Sequence, residues 1–198
     1  MWLKIKKSHI EESTYGLYQN IIDRVLIPYF EPMNLTLDEV TPLIIQCFIV
    51  DCSEERKVSP STIKKYYTCI NQTLNMAFRF DLILSNPCLK VIIPRIEKGF
   101  KGDILTFEEL NKVLECSKNS LYEETLFMAI IYGLRRSEVL GLKWSSVNFE
   151  SKTFTIENKV VSIKENNKTK VICKKGAKNK KSFRTFPFVN GVEELLLI

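Results

Sequence analysis

Residues 132–144 read YGLRRSEVLGLKW. The apolar run before them, from Leu126, predicts a helix that ends at Gly133, because glycine most easily takes the left-handed conformation that closes a helix. Ser137 is expected to cap a second helix, with Glu138 in its first turn and apolar residues along its inner face. The stretch therefore predicts two helices joined by a short junction.

Two arginines, Arg135 and Arg136, lie in this junction. Long cations are uncommon between packed helices, so at least one is expected to be partly buried and held in place. A fixed guanidinium suits a phosphate or a carboxylate, since it donates parallel hydrogen bonds. The alternatives are an ion pair with Glu138 and a solvated pair of surface charges, and this stretch alone leaves all of them open.

The composition is that of a globular protein with one large or two small domains. The chain has 198 residues, of which 45% are apolar and 26% charged. Its longest apolar runs are too short for a membrane-spanning helix, and the N-terminal residues turn polar too soon for a signal peptide. Six cysteines without a CxxC pair and one histidine offer no metal-ligand spacing. We therefore expect a cytoplasmic protein with no metal site and no membrane partner.

Positive charge is concentrated towards the end of the chain. Residues 1–102 hold 13 Lys and Arg against 11 Asp and Glu, whereas residues 164–184 hold nine basic residues against one acid. The basic loop Lys174–Lys181 has three interpretations: a solubilising loop, a run similar to a nuclear-localisation signal, or a hairpin that contacts phosphate.

Helical patterns occupy the first half of the chain. One helix is expected to begin at Ser13 and to stop at Pro28, and a second begins at Thr41–Pro42. A third and longer helix begins near Ser59, with an apolar stripe that extends to Phe78. These amphipathic helices supply one another with packing partners.

A charged segment that contains glycines separates two domains. Residues 95–104 are interpreted as a linker. The TxxE capping box at Thr106 then begins a new helix. We expect a helical domain over residues 1–94 and a second domain over residues 105–198.

Beyond Trp144 the apolar pattern changes from a helical period to alternation. A turn at Glu150–Lys152, followed by extended segments up to Phe188, predicts a small antiparallel sheet of about three strands. The segment GAKNKK forms an exposed loop between the last two of them. The predicted fold class is mainly α with a small antiparallel β-sheet.

The order of these segments resembles the tyrosine recombinases, specifically integrases of phages and of conjugative transposons in low-GC Gram-positive bacteria. GLRRSEVLGLKW is followed by VNFESKTFTI and AKNKKSFRTFPF, as in that family. The helical half is similar to its SAM-like core-binding domain. The resemblance implies that residues 105–198 are the first part of an α+β catalytic domain.

The resemblance also implies a reaction and its residues. In the family, a tyrosine attacks a DNA phosphodiester and forms a 3′-phosphotyrosyl bond, with neither metal nor cofactor. Arg135 matches the first catalytic arginine, and Glu138 matches the acid that supports it. Lys178 matches the lysine that acts as general acid, with Lys180 as the second choice.

Double-stranded DNA is the partner that the resemblance implies, and full family members act on it as tetramers. The basic residues of the helical domain and of the hairpin are then expected to contact the DNA backbone, although a solvated face is the alternative for the helix. These residues are Lys64, Lys65, Arg136, Lys174, Lys175, Lys180 and Lys181.

The chain departs from the family pattern because its later catalytic groups, including the nucleophile, are missing. All seven tyrosines precede residue 133. We therefore expect an integrase truncated before the catalytic tyrosine, which binds DNA without cutting it. The alternatives are a non-catalytic DNA-binding or regulatory module derived from an integrase, and a basic helical scaffold with no role on DNA.

Overall fold

The computed structural model describes residues 1–95, 102–165, 168–175, 183–189 and 191–196. The chain divides into two compact units, Met1–Lys101 and Gly102–Ile198. The first unit is helical, and the second combines helices with antiparallel strands. The predicted fold class, mainly α with a small antiparallel β-sheet, is confirmed.

In the first unit, residues 1–95 form five α-helices with shorter helical turns between them. The helices are α1 Trp2–Lys6, α2 Glu12–Ile21, α3 Ile27–Phe30, α4 Pro42–Glu54 and α5 Pro60–Arg79. A π-helical turn at Ile22–Leu26 and 3₁₀ turns at Glu31–Met33 and Pro87–Lys90 complete it.

The prediction that Pro28 stops the first helix is wrong. The chain remains helical through a π-helical turn and α3 and ends in the 3₁₀ turn that closes at Asn34, whose φ is +48°. Pro28 lies in the first turn of α3, directly after the π-helical turn, and its lack of an N–H does not end the helix.

The second predicted helix, α4, begins where its sequence indicates. The Thr41 side chain accepts a hydrogen bond from the Ile44 backbone N–H at 3.4 Å, which caps the first turn. One face of the helix then enters the core of the unit. Its buried residues are Ile45, Phe48, Ile49 and Cys52.

Helix α5 packs against this core, but its apolar stripe ends earlier than predicted. Ile63, Ile70 and Leu74 are buried in the same cluster as α4. Phe78 is 48% exposed, contrary to the expectation that it lies on the buried side. The stripe continues from Leu74 to Ala77, which leaves Phe78 at its edge.

Four α-helices belong to the described part of the second unit. They are α6 Phe107–Ser117, α7 Glu123–Tyr132, α8 Arg136–Val139 and α9 Val192–Leu196. Both bonds of the capping box between Thr106 and Glu109 are formed at the start of α6. Helix α7 ends at Gly133, whose φ of +61° is the left-handed conformation expected from the sequence.

The strands form two sheets instead of the single sheet that was predicted. They are β1 Val147–Asn148, β2 Thr153–Ile156, β3 Asn158–Glu165, β4 Lys168–Lys175 and β5 Arg184–Pro187. All pairs are antiparallel, in the orders β1-β2-β5 and β3-β4. The two sheets arise because the extended chain is interrupted at Glu157, after which β3 pairs along its whole length with β4.

A small aromatic core joins α7 to the three-stranded sheet. The Tyr132 ring lies edge-on to Phe154 in β2, with ring centroids 4.8 Å apart. Its hydroxyl donates to the Pro187 carbonyl and accepts from the Val189 N–H, both at 3.0 Å. These contacts hold the end of α7 against the sheet and so set the starting point of the junction that follows.

Among the residues that the structure describes, no helix has the length and hydrophobicity that a membrane crossing requires.

Candidate functional site

The junction between α7 and α8 places Arg135 at the surface of the second unit. Leu134, only 6% exposed, anchors the junction in the core. Arg135 itself is the N-cap residue of α8, with extended backbone angles of φ −69° and ψ 146°. The prediction that Ser137 caps this helix is wrong, because the N-cap lies two residues earlier, at Arg135, and α8 begins at Arg136.

Glu138 takes the place of a capping side chain. Its Oε2 atom accepts a hydrogen bond from the Arg135 backbone N–H at 3.0 Å, and its Oε1 accepts one from Arg135 Nη1 at 2.9 Å. The same Oε2 accepts a third from Arg184 Nη2 at 2.7 Å. The Glu138 side chain is only 11% exposed, so one nearly buried carboxylate holds two guanidinium groups.

The pKa of Glu138 lies below its ordinary value. Burial acts to raise it, but the hydrogen bonds from the Arg135 backbone and side chain, with the charges of Arg184 and Arg135, lower it further than burial raises it. The carboxylate is therefore ionised near neutral pH.

At least one of Arg135 and Arg136 was expected to be partly buried, and this prediction is wrong: the Arg135 side chain is 78% exposed, and Arg136 is exposed as well. The backbone of the junction is packed, but the Arg135 side chain is not covered, because α8 is a single turn and not a long buried helix. Within the described residues, the Arg135 guanidinium makes one hydrogen bond, to Glu138. A guanidinium has five N–H groups, so most of its donors can reach a ligand in solvent.

Arg184 is a site residue that our reading of the sequence missed. It lies in β5 opposite Ile156, and its guanidinium carbon is 5.5 Å from the centre of the Phe186 ring. In β5 and the residue that follows it, the less exposed positions are those of Arg184, Phe186 and Phe188. In a strand where every second residue is apolar, a charged residue at one of these positions was the signal that could have identified it.

The other basic residues predicted to bind DNA lie on both units. Arg136 is exposed in α8, Lys175 is exposed at the end of β4, and Lys174 beside it is half-buried. Lys64 and Lys65 are exposed on α5 of the first unit.

The predicted general acid Lys178, its alternative Lys180, and Lys181 all lie outside the described residues. The predicted residues that the structure does bring together are Arg135 and Glu138. In the described part of the chain, no three His, Cys, Asp or Glu side chains gather closely enough to hold a metal ion.

The sequence matches a family model and a curated relative. Residues 1–52 match the model of the phage integrase N-terminal SAM-like domain. Over 148 residues, covering 70% of this chain, it is 31% identical to a XerC-like tyrosine recombinase of Caldanaerobacter subterraneus subsp. tengcongensis. The sequence is therefore similar to that of tyrosine recombinases. The chain spans 38% of the length of that relative.

Solved structures of two integrases share its fold. The Tn1549 transposon integrase, in complex with a circular intermediate DNA, matches 98% of this chain and 61% of its own length with a TM-score of 0.72 and 14% identity. A lambda integrase dimer bound to a COC′ core site matches 88% of this chain and 60% of its own length, with a TM-score of 0.59 and 17% identity. At 14% and 17% identity, these matches show a shared fold and nothing more.

Proposed function

We propose that these 198 residues form the DNA-binding part of a site-specific recombinase and contribute half of its phosphate-binding site. The observation that carries this proposal is the arrangement at Arg135: a nearly buried carboxylate fixes the arginine, while 78% of the arginine side chain remains exposed. An arginine held only for stability has no need of that exposure. An arginine that binds phosphate needs both features.

Arg135 suits the transition state of a phosphoryl transfer. As the phosphorus is attacked, negative charge develops on the non-bridging oxygens, and a guanidinium stabilises it with directed hydrogen bonds. Because arginine does not deprotonate in proteins, a different residue must supply the proton to the leaving oxygen. We assign that role to Lys178, on the family resemblance.

The nucleophile in this reaction is a tyrosine, which none of the seven tyrosines of the 198 residues matches. We propose that these residues bind duplex DNA without cleaving it. Lys64 and Lys65 would contact the backbone from the first unit, and Arg136, Lys174 and Lys175 from the second. Lys180 and Lys181 extend the same basic segment.

The two units would correspond to a core-binding domain, residues 1–94, and the first part of a catalytic domain, residues 105–198. The boundary between the compact units, at Lys101–Gly102, falls inside the proposed linker 95–104 and supports this division. A solved lambda integrase is a tetramer bound to a Holliday junction. We propose a homotetramer on DNA for the complete protein as well.

Two measurements test this function. A gel-shift titration with duplex DNA at low salt should show a retarded complex, which disappears as salt is raised because phosphate contacts release counterions. Incubation with a nicked suicide substrate should leave no covalent protein–DNA adduct on a denaturing gel. Absence of binding at low salt would favour the basic scaffold, and an adduct would show that the chain holds a nucleophile.

A further inference from the structure

Two arginines from distant parts of the sequence share the Glu138 carboxylate. Arg135 Nη1 binds Oε1 at 2.9 Å, and Arg184 Nη2 binds Oε2 at 2.7 Å. Arg184 follows Glu138 by 46 residues and belongs to a strand, whereas Arg135 precedes it by three. The sheet therefore supplies a second cation to a carboxylate that the α8 turn already pairs with Arg135.

The charges of this cluster explain why a second cation matters. Glu138 is needed to hold Arg135, but an ionised carboxylate beside Arg135 also repels a phosphodiester, which carries one negative charge. Arg135 and Glu138 alone sum to zero. With Arg184 the three side chains sum to +1, so the charge of Arg135 remains effective towards an anion.

We propose that Arg184 is a positioning residue of the phosphate site: it neutralises Glu138, so that the carboxylate can orient Arg135 without repelling the phosphate. This inference rests on the proposed role of Arg135. It assigns to Arg184 an indirect role, through Glu138, without contact with DNA.

The surroundings of Arg184 suit this role. Its neighbour across the sheet, Ile156, is only 4% exposed, and the next pair, Thr155 and Thr185, is joined by a hydrogen bond of 2.9 Å between the two hydroxyl groups. The Phe186 ring lies beside its guanidinium. At 38% exposure, the Arg184 side chain is about half as accessible as that of Arg135. A strand in the sheet thus fixes the cation on Glu138, while Arg135 faces solvent.

The test measures anion binding at Arg135 in the 198-residue chain. Dimethyl phosphate, a phosphodiester with a single charge, is titrated at constant ionic strength while the Nε–H signal of Arg135 is followed by NMR. The signal is assigned by its loss in Arg135→Lys. The variants are Arg184→Gln, Arg184→Lys and the double variant Arg184→Gln/Glu138→Gln.

We expect Arg184→Gln to weaken dimethyl phosphate binding about 3- to 30-fold. This range is the interaction of the phosphate with one unit charge roughly 8 Å from it, at effective dielectric constants between those of water and of a protein surface. Arg184→Lys should stay within threefold of the unaltered chain, since it keeps the charge. The double variant should recover most of the lost affinity, because the site again sums to +1. Lys152→Gln, which breaks the exposed pair with Glu193 in the same unit, is the matched control and should have no effect.

The outcomes separate this inference from the function on which it rests. If Arg135 in the unaltered chain shows no saturable response to dimethyl phosphate, the proposed phosphate site is wrong. If it responds and Arg184→Gln binds equally well, only the role of Arg184 is wrong. If the double variant binds as weakly as Arg184→Gln, or more weakly, Arg184 maintains structure and does not compensate charge. Thermal unfolding of each variant shows whether it folds. If Arg184→Gln does not fold, Arg184→Ala replaces it, and the double variant Arg184→Ala/Glu138→Gln provides the same comparison.

Discussion

Arg135 shows how one side chain can be both ion-paired and available. The sequence left open whether it binds an anion or pairs with Glu138, as if these were alternatives. The structure shows the ion pair, and the exposure of the guanidinium leaves room for the anion as well. Only the arginine side of this pair is exposed, since the Glu138 side chain is 11% accessible, and the carboxylate thus orients the arginine while its other donors stay in solvent.

Replacement of Arg135 by alanine should separate binding from chemistry. In a complete recombinase that contains these residues, Arg135→Ala should lower the cleavage rate by at least about 100-fold, as removal of a transition-state donor does. In the 198-residue chain it should change DNA affinity by less than about threefold, because it removes one phosphate contact among several. Arg136→Ala is the control, with little effect on cleavage. A large loss of DNA affinity in Arg135→Ala would show that the residue anchors DNA instead.

Glu138 makes the stability of the second unit depend on pH. Its folded-state pKa lies below the unfolded value of about 4.3. The stabilisation is therefore complete above that pH and is lost as pH falls through the folded-state pKa. Glu138→Gln should lower the free energy of unfolding by about 1–3 kcal/mol at pH 7, since it weakens charged hydrogen bonds at a nearly buried site.

The difference between Glu138→Gln and the unaltered chain should shrink as the pH falls from the unfolded-state pKa of about 4.3 through the lower folded-state pKa, because protonation then removes the charge from Glu138 itself. Urea unfolding followed by Trp144 fluorescence, in a Trp2→Phe background, reports on the second unit. The exposed Glu150→Gln variant should show no such pH-dependent difference. A difference that stays constant over this range would contradict the assigned ionisation.

At the scale of elements, the α8 turn depends on close backbone packing. A Cβ atom on Gly141 would lie 2.7 Å from the Asn158 carbonyl oxygen and 2.8 Å from Lys159 Cα, both in the backbone of β3. Gly133, at the other end of the junction, has free space around it but a φ of +61°. The two glycines are thus required for different reasons: Gly141 allows close contact with β3, and Gly133 allows the left-handed backbone conformation.

Substitution of these glycines should reveal that difference. Gly141→Ala should destabilise the second unit by about 1–3 kcal/mol through overpacking. Gly133→Ala should cost about 1–2 kcal/mol through the left-handed backbone. Asparagine tolerates that backbone and should recover part of the loss at position 133 but none at position 141. Urea unfolding of the four variants checks this, and recovery by Gly141→Asn would disprove the packing explanation.

At the scale of the whole molecule, the net charge of +6 is modest, and exposed lysines of both units supply the proposed DNA contacts. Each phosphate contact contributes to the salt dependence of binding, because each one releases a counterion. The number of contacts can therefore be read from the slope of log affinity against log salt.

Removal of two lysines on α5 should change that slope. The double variant Lys64→Gln/Lys65→Gln should weaken duplex binding at every sequence and reduce the slope by up to about 2, if each lysine contacts one phosphate. The double variant Lys112→Gln/Lys118→Gln removes the same charge from exposed positions of the second unit and should change the slope little. Equal slopes for the unaltered chain and the Lys64/Lys65 variant would assign these lysines to a solvated face.

Features that depend on a few neighbouring residues followed from the sequence alone. The Thr41 cap, the capping box at Thr106, the end of α7 at Gly133 and the turn at Glu150–Lys152 were all predicted and are all present. Each depends on side chains or backbone angles within one turn, so the sequence that specifies them is contiguous. The order of such segments was also enough to indicate the tyrosine recombinase family.

The tertiary structure decided what depends on residues far apart in the chain. The bond between Arg184 and Glu138 spans 46 residues, and it joins α8 to a strand whose place is set by pairing with β2. The division of the strands into two sheets and the contact of Gly141 with β3 likewise depend on packing. The sequence alone therefore determined the start of α4 at Thr41, the start of α6 at Thr106 and the end of α7 at Gly133, but neither the cap of α8 nor the helical course past Pro28. Folding added the second arginine, because local patterns carry no information about which distant side chain will meet a buried carboxylate.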